Sequence, residues 1–437
     1  MKDHIFTLIN QEKKRQTEKI GLIPSENVVS PAVAKALSSC LSNKYSEGYP
    51  GHRYYEGNQI IDQIETLAQE RVKKLFSVPY VNIQPYSGSP ANAAIYFATM
   101  KPGETLMGLK LTQGGHLTHG HPDVTLSGRF YKSVQYGLGK DARIDFKQVL
   151  ELAKKHRPQV IVAGNTAYPF ELDFKKFRRI ADEVGAWLMA DISHVTGLVI
   201  AGEHMSPVPY ADIIMTTTHK TFRGPRGAMI LVTERGLKRD PKLGKKIDSA
   251  IIPGLQGGPH NATTAAIAIA TAEASTSKFK QYARQIKKNA QALAEALMSE
   301  GLTLVGHGTE THLMLIDLSK QGYGLGRQVA FALDVAGIYA NANTIPNESG
   351  SPFYPSGVRI GTPLVTTRGM KEAEMKQIAH WIALVIEEVK KYELPLDKNL
   401  RNKFVQDFKI KVTKNKNLKQ IAREVKSLAE RFPLFAV

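Results

Sequence analysis

The 437-residue sequence predicts an α/β fold in which a mostly parallel sheet forms a large domain. Continuous apolar runs of strand length begin at Val160, Trp187 and Ile213, which is typical of parallel strands that are covered on both faces. Between the first two runs, apolar residues repeat at helical spacing over residues 174–184 and complete a strand–helix–strand unit. A fold of this kind binds its ligands at the carboxyl ends of the strands.

The pattern changes on either side of this domain. Residues 1–45 mix charges with short apolar segments, and we expect them to form an N-terminal arm that packs against another surface. Toward the C-terminus, helical spacing recurs over residues 282–297 and 375–389. Two apolar runs between them, at residues 302–305 and 313–318, predict strands. We therefore predict a large domain over residues 46–272 and a smaller C-terminal α+β domain over residues 273–437.

The composition limits the classes of function. The sequence carries 58 basic and 40 acidic residues, a net charge of +18, but no zinc-finger or RNA-recognition signature. A solvated lysine-rich face is therefore the favoured explanation, with RNA binding as a remote alternative. No apolar stretch reaches the ~20 residues of a membrane span, and the first residues lack the apolar core of a signal peptide. Since Cys40 is the single cysteine and excludes an internal disulfide, we expect a cytoplasmic protein without membrane contact.

Lys220 is the most informative residue, because it follows the apolar run 211–219 and precedes a turn that contains Gly and Pro. A lysine at the mouth of a buried strand stays partly desolvated and nucleophilic. Asp191 ends the apolar run 186–191, where a buried acid needs a cation or strong donor such as a protonated pyridinium nitrogen. Together the two residues predict a site for pyridoxal phosphate, held by the lysine as a Schiff base. For either residue alone, pairing with the other or with water is the alternative.

Residues 86–92 form a turn of small residues ahead of an apolar helix pattern at 93–100. Small residues leave the main-chain amides accessible, Pro90 suits a first helical turn, and the N-terminus of a helix favours an anion. The segment therefore predicts a phosphate site, with a simple capping turn as the alternative.

Three histidines, His116, His119 and His121, crowd into six positions of a glycine-rich segment. A metal site is one explanation, but no Asp, Glu or Cys stands beside them at ligand spacing, and flexible glycines hold a metal poorly. An imidazole stacked on an aromatic cofactor needs close main-chain approach, which glycine permits. We therefore predict no metal site.

Residues 43–55 combine four tyrosines, one carboxylate and three basic residues. This density of proton donors and acceptors makes Glu47 the leading candidate for a general acid or base. Arg359 lies on a predicted strand between turn-forming residues, where its guanidinium fork could bind a carboxylate. A surface ion pair is the alternative for Arg359.

Taken together, these residues resemble serine hydroxymethyltransferase, a pyridoxal-phosphate enzyme of the aspartate aminotransferase fold type I. The resemblance keeps the same order from about residue 23 to residue 435. Nine motifs carry it, namely Pro-Ser-Glu-Asn at 24–27, Asn-Lys-Tyr-Ser-Glu-Gly-Tyr-Pro-Gly at 43–51, Gln-Pro-Tyr-Ser-Gly-Ser at 84–89, Gly-Gly-His-Leu-Thr-His-Gly at 114–120, Thr-Thr-Thr-His-Lys-Thr at 216–221, Gly-Pro-Arg-Gly at 224–227, Gln-Gly-Gly-Pro at 256–259, Ser-Pro-Phe at 351–353 and Gly-Val-Arg-Ile-Gly-Thr-Pro at 357–363.

The resemblance implies which residues bind the cofactor. Lys220 would hold it, Asp191 would pair with its ring nitrogen, and His116 would stack on the ring. The other contacts would be His194 near the phenolic oxygen, Ser87, Gly88 and Ser89 at the phosphate, and Tyr45 and Gly258 from a neighbouring subunit. The resemblance therefore also implies a homodimer with shared active sites, which can double to a tetramer.

The resemblance also implies the substrates, which are L-serine, glycine and tetrahydrofolate. Ser25, Tyr55 and Arg359 would bind the amino acid, Glu47 would handle the hydroxymethyl proton, and His219 would discriminate between substrates, so the catalytic groups would be Lys220, Glu47, Asp191, His116, His219 and Tyr55. The folate contacts would be Leu111, Gly115, His116, Leu117, Asn343, Ser351, Pro352 and Phe353. The implied reaction cleaves the α–β carbon bond of serine and gives glycine and 5,10-methylenetetrahydrofolate.

The chain departs from the family pattern mainly on the folate side. The departures are at Pro90, Thr112, Gln113, residues 163–169, Phe222, Arg223 and Ala342. None of them removes a cofactor group. They leave open a related pyridoxal-phosphate aldolase or an α-methylserine-type hydroxymethyltransferase as the alternative function.

Overall fold

The computed structural model describes residues 3–346, 348, 351 and 353–435. The chain divides into two compact units, one of residues 29–284 and one of residues 1–28 with 285–437. We call them the large unit and the small unit.

Helices alternate with short strands along the chain. The helices, in chain order, are α1 (His4–Glu18), α2 (Pro31–Leu37), α3 (Gln59–Phe76), α4 (Gly88–Thr99), α5 (Leu126–Phe130), α6 (Phe146–His156), α7 (Phe174–Val184), α8 (Thr196–Ala201), α9 (Glu234–Arg239), α10 (Leu243–Ser249), α11 (Asn261–Ala274), α12 (Ser277–Ser299), α13 (Gly326–Val335), α14 (Pro363–Thr367), α15 (Glu372–Val389), α16 (Lys398–Lys414) and α17 (Lys416–Arg431). The strands are β1 (Ile20–Gly21), β2 (Gly48–Tyr49), β3 (His52–Arg53), β4 (Tyr80–Asn82), β5 (Thr105–Leu109), β6 (Lys132–Tyr136), β7 (Val160–Gly164), β8 (Trp187–Asp191), β9 (Ile213–Thr217), β10 (Ala228–Val232), β11 (Thr303–Leu304), β12 (Leu313–Asp317), β13 (Ile338–Tyr339), β14 (Asn341–Asn343) and β15 (Gly357–Gly361). In the part of the chain that the structure describes, no helix is long and apolar enough to span a membrane.

A seven-stranded sheet forms the centre of the large unit, in the order β4-β10-β9-β8-β7-β5-β6. The strands from β5 to β9 pair in parallel, whereas β10 pairs antiparallel with both β9 and β4. Every residue of β7, β8 and β9 is buried, which confirms that the three apolar runs are strands covered on both faces. The predicted helix over residues 174–184 is confirmed as α7.

The register of these strands aligns their carboxyl ends. Gly164 of β7 pairs with Asp191 of β8, and Asp191 pairs with Met215 of β9. Lys220 follows three residues after the end of β9. Asp191 and Lys220 therefore both stand at the carboxyl edge of the sheet, on neighbouring strands.

A four-stranded antiparallel sheet, β11-β12-β15-β14, forms the centre of the small unit. Arg359 is the middle residue of β15, where it pairs with Leu315 on one side and with Asn341 on the other. The predicted helices over residues 282–297 and 375–389 are confirmed as α12 and α15.

The strand predicted at residues 302–305 is wrong in length. Only Thr303–Leu304 is extended, because a 3₁₀ turn follows at Val305–His307, where Gly306 has a φ of 67°. A glycine in the left-handed region ends the extended conformation at this point. The next apolar run is the full strand β12, Leu313–Asp317.

The first residues of the chain belong to the small unit. β1 pairs in parallel with β13, and the buried guanidinium of Arg368 donates to the main-chain oxygens of Lys19 at 2.7 Å and Ala429 at 2.8 Å. Since α1 ends just before Lys19 and α17 contains Ala429, Arg368 joins the end of α1 to α17 within this unit.

Candidate active site

The buried carboxylate of Asp191, the last residue of β8, is held by three donors. Its Oδ2 accepts hydrogen bonds from His119 Nε2 at 2.9 Å and Asn92 Nδ2 at 3.2 Å, and its Oδ1 accepts one from the main-chain N–H of Ser193 at 3.1 Å. Burial raises the pKa of Asp191, but the hydrogen bond and charge of His119 outweigh burial and bring the pKa below its ordinary value. Asp191 is therefore an anion at neutral pH, suited to hold a protonated ring nitrogen.

The three-histidine segment supplies two residues to this network. His116 Nδ1 lies 2.7 Å from Thr118 Oγ1, which also accepts a hydrogen bond from Asn92 Nδ2 at 2.8 Å. The rings of His116 and His119 lie 5.5 Å apart. Within the described ranges, no group of three or more His, Cys, Asp or Glu side chains is arranged to hold a metal ion. His119 thus contacts Asp191 directly, and His116 joins the network through Thr118.

His119 and Asn92 are site residues that the sequence pattern did not predict. The one signal for His119 was its place in the glycine-rich segment, and nothing in the pattern of α4 marked Asn92. Gly164 makes the contact between His119 and Asp191 possible. A Cβ at this position would lie 2.7 Å from Asp191 Cβ and 3.1 Å from His119 Cε1. A larger residue at the end of β7 would therefore displace the histidine from the carboxylate.

Lys220 lies in the turn after β9 and is partly buried. Its Nζ donates a hydrogen bond to Thr217 Oγ1 at 2.8 Å. The sequence pattern did not predict this contact. Thr221 Oγ1 donates to the main-chain oxygen of the buried His194 at 2.9 Å. The turn that carries the lysine is thereby fixed to the segment that follows Asp191.

The phosphate site predicted at residues 86–92 coincides with the start of α4. Ser87 is the N-cap residue of α4, but its side chain makes no capping hydrogen bond, unlike the side chain of a simple capping turn. A Cβ on Gly88 would lie 2.7 Å from Thr217 Cγ2, so α4 begins directly against the residue that binds Lys220. Ser89 follows in the first turn, where an anion is favoured. A lysine, an anionic carboxylate and a helix N-terminus at one sheet edge fit a cofactor that carries an aldehyde, a basic ring nitrogen and a phosphate.

A second cluster gathers the predicted residues of the tyrosine-rich segment. The rings of Tyr45 and Tyr55 meet edge to face with centroids 5.4 Å apart, and the charge of Glu47 raises the pKa of Tyr55. A Cβ on Gly257 would lie 3.0 Å from Glu47 Oε1, and one on Gly258 would lie 3.1 Å from the Tyr45 ring. Tyr45 and Tyr55 are 58% and 47% exposed. Four predicted residues therefore lie together on an open surface of the large unit.

In the small unit, Arg359 lies in the interior, with 8% of its surface exposed, so the alternative of a surface ion pair is wrong. Its Nε donates to Asn341 Oδ1 at 3.0 Å, and burial lowers its pKa to about 10. Gly361 N–H donates to the main-chain oxygen of Leu22 at 2.7 Å, and a Cβ on Gly361 would lie 2.8 Å from Pro24 Cβ. The end of the strand that carries Arg359 therefore packs against the segment that leads to Ser25.

The predicted folate residues are divided between the units. In the large unit, Leu111 opens a 3₁₀ turn that ends at Gln113, and Gly115 and the half-exposed Leu117 follow it. Leu117 lines a pocket of about 460 Å³ with Ser89, Pro90, Ala93, Tyr96, Thr118, Thr125, Leu126, Ser127 and Leu255. Gln113, one of the departures from the family pattern, accepts a hydrogen bond on Oε1 from Leu138 N–H at 2.9 Å. The side chain of Gln113 is therefore engaged in a contact with the main chain at Leu138.

In the small unit, three predicted folate residues lie on β14 and the segment after it. Asn343 ends β14 and donates from Nδ2 to the main-chain oxygen of Thr344 at 2.7 Å. Ser351 Oγ accepts a hydrogen bond from Tyr354 N–H at 3.2 Å, and Phe353 is exposed. Pro352 lies outside the described residues.

The chain is similar to proteins of one family along most of its length. The family model described as "Serine hydroxymethyltransferase" matches residues 1–382. The chain is 57% identical over 388 residues to a serine hydroxymethyltransferase of Acidothermus cellulolyticus, covering 89% of each chain. It is 49% identical over 429 residues to that of Desulfotalea psychrophila, covering 98% of this chain and 93% of the relative. It is 48% identical over 435 residues to that of Phenylobacterium zucineum, covering 99% and 95%.

His219 should remain uncharged across the working range of the protein. Burial lowers its pKa from 6.5 to about 3, with the charges of Lys220 and Arg226 acting in the same direction. The unfolded chain then binds this proton more tightly than the folded chain, so His219 costs stability as the pH falls from 6.5 toward 3. In NMR of histidine-labelled protein, the signal of His219 is identified by its loss in the His219→Gln variant. The chemical shift of this signal should remain that of a neutral imidazole between about pH 8 and pH 5. Titration of that signal with a midpoint near the ordinary value would contradict the burial argument.

Proposed function

The chain belongs to the serine hydroxymethyltransferase family, and we propose that it catalyses the reversible transfer of the hydroxymethyl group of L-serine to tetrahydrofolate, giving glycine and 5,10-methylenetetrahydrofolate. One observation carries the proposal. An anionic Asp191 and Lys220 stand at the carboxyl ends of neighbouring strands, beside the start of α4. These features match the ring nitrogen, the aldehyde and the phosphate of pyridoxal phosphate.

The cofactor would be bound by groups from both sides of the sheet edge. Lys220 would hold the aldehyde carbon through its amine, and Asp191 would hold a proton on the ring nitrogen. The other contacts would be His116 over the ring face, His194 near the phenolic oxygen, and Ser87, Gly88, Ser89, Tyr45 and Gly258 around the phosphate. When bound, pyridoxal phosphate supplies a sink for the electron pair that bond cleavage leaves on the α-carbon.

The amino-acid substrate would be oriented by side chains with distinct tasks. Arg359 can bind the carboxylate through its planar fork, and its burial strengthens this contact because water does not screen it. Ser25 and Tyr55 would complete the binding. Glu47, whose charge acts on Tyr55, would move the proton of the hydroxymethyl group. His219, uncharged beside Lys220, would discriminate between side chains of the substrate.

The open position of the tyrosine cluster supports a shared active site. Tyr45 and Tyr55 are large aromatic residues with about half of their surface exposed, and Glu47 lies beside them. Exposed aromatic groups next to a charged group are typical of a surface that meets a partner. The chain would therefore act as a homodimer, able to double to a tetramer, in which each subunit supplies Tyr45 and Gly258 to the site of its partner. Glu47 lies in the same cluster and would be supplied with them.

The one-carbon acceptor would contact the residues that the family resemblance implies. Tetrahydrofolate would lie against Leu111, Gly115, His116, Leu117, Asn343, Ser351 and Phe353. Leu117 supports this assignment, since it is half exposed and lines the pocket beside the start of α4. A cytoplasmic location is consistent with the single free cysteine, Cys40.

Release of glycine from L-serine should depend on tetrahydrofolate. Folate captures the one-carbon unit, so its omission should leave only slow cleavage. Glycine formation is measured by chromatography in reactions with and without tetrahydrofolate, with pyridoxal phosphate in excess. Equal rates in the two reactions would instead identify an aldolase that does not use a folate.

Lys220→Ala should lose the borohydride-trappable adduct with pyridoxal phosphate, because the amine that forms the imine is removed. Mass spectrometry of tryptic peptides after reduction locates the adduct. Lys245→Ala, which removes an exposed lysine, is the matched control and should keep the adduct on Lys220. An adduct on another lysine in the Lys220→Ala protein would refute the assignment.

Mixing two variants of very low activity should restore activity if the sites are shared. A dimer of one Lys220→Ala chain and one Glu47→Gln chain has one site with both wild-type residues. Random exchange of subunits should therefore give about a quarter of the wild-type rate. Native mass spectrometry confirms that hybrid dimers form. Hybrid dimers without activity would show that Lys220 and Glu47 act within one chain.

A further inference from the structure

A buried network beside the tyrosine cluster contains none of the groups assigned to the proposed reaction. Glu65 of α3 is 1% exposed, and both of its oxygens accept hydrogen bonds. Oε2 accepts one from Arg53 Nη2 at 2.6 Å, and Oε1 accepts one from Gln84 Nε2 at 2.7 Å. A carboxylate removed from water needs donors of this kind on both oxygens, so the three side chains act as one unit.

This network holds the main chain on both sides of Glu47. Arg53 Nη1 donates to the main-chain oxygens of Ser46 and Gly48, each at 2.8 Å. Gln84 Nε2 donates to the oxygen of Gly48 as well, at 3.1 Å. The carbonyl groups of the residues on either side of Glu47 are thus fixed by buried side chains, so the main chain from which the Glu47 carboxylate extends is held in place.

The same network reaches the segment that leads into α4. The main-chain oxygen of Gln84 accepts a hydrogen bond from Gln256 Nε2 at 3.0 Å, and Gln256 Oε1 accepts one from Tyr86 N–H at 3.0 Å. Tyr86 directly precedes Ser87, the N-cap residue of α4. Gln84 therefore connects the main chain around Glu47 with the candidate phosphate site of the same subunit.

We propose that Gln84, acting with Arg53 and the buried Glu65, is a positioning residue for Glu47. This inference rests on the proposed role of Glu47 as the group that moves the hydroxymethyl proton. Gln84 touches neither substrate nor cofactor in this scheme. It acts by holding the carbonyl of Gly48 and the carboxylate that anchors Arg53, so that Glu47 keeps one orientation through the reaction.

Gln84→Met tests the proposal, because methionine keeps the length of the side chain and removes its donors. The kcat for serine with tetrahydrofolate should fall about tenfold, as expected for a misplaced catalytic group. The affinity for pyridoxal phosphate, followed by the absorbance of the bound cofactor, should be unchanged. Gln159→Met is the matched control, since it removes a glutamine bond to the main-chain oxygen of Thr99 at the amino end of β7 and should leave kcat as in wild type.

A double-variant cycle separates positioning from a general loss of structure. If Gln84 acts through Glu47, then Gln84→Met should change kcat by less than about twofold once Glu47→Gln is present. If the fold decreases in kcat caused by the two substitutions multiply in the double variant, the proposal is overturned. An unchanged kcat in Gln84→Met alone would overturn it as well. If Gln84→Met does not fold by circular dichroism, Glu65→Gln replaces it, with the same expected coupling to Glu47.

The cycle also distinguishes failure of this inference from failure of the proposed function. A wild-type protein without activity on serine and tetrahydrofolate would overturn the function itself. An active protein in which Glu47→Gln has no effect would overturn the role of Glu47, and the positioning role of Gln84 with it.

Discussion

The buried carboxylate of Asp191 is the constraint on which the rest of the site depends. An anion at the tip of a fully covered strand is stable only where donors meet it, and in this protein they come from three parts of the large unit. His119 belongs to the glycine-rich loop, Asn92 to α4, and Ser193 to the segment after β8. Satisfying this one charge therefore brings together the loop that carries His116 and the helix whose N-terminus faces the lysine turn.

The site around Asp191 leaves little room, and small residues make its close contacts possible. Gly164 lets His119 reach the carboxylate, and Gly88 lets α4 begin against Thr217, the partner of Lys220. The charge on Asp191, the hydroxyl beside the lysine and the start of α4 are consequences of one packing arrangement. A substitution that disturbs one of these three features would therefore change the others.

Much of this arrangement was predictable from the sequence. The apolar runs that form β7, β8 and β9 are continuous because both faces are covered, and a polar residue at the end of such a run stands out, as Asp191 and Lys220 do. The contacts of His119, Asn92 and Gln84 were not predictable, since they join residues far apart in the chain that carry no local pattern. The burial of Arg359 likewise depends on tertiary packing, which overrides local preference.

The central claim is that the Asp191 carboxylate stays ionised and keeps a proton on the ring nitrogen of the cofactor. Nitrogen-15 NMR of the protein loaded with ring-labelled pyridoxal phosphate measures this directly, through the chemical shift of that nitrogen. The wild-type protein should show a protonated ring nitrogen at neutral pH, and Asp191→Asn should show an unprotonated one. An unprotonated ring nitrogen in the wild-type protein would contradict the role assigned to Asp191.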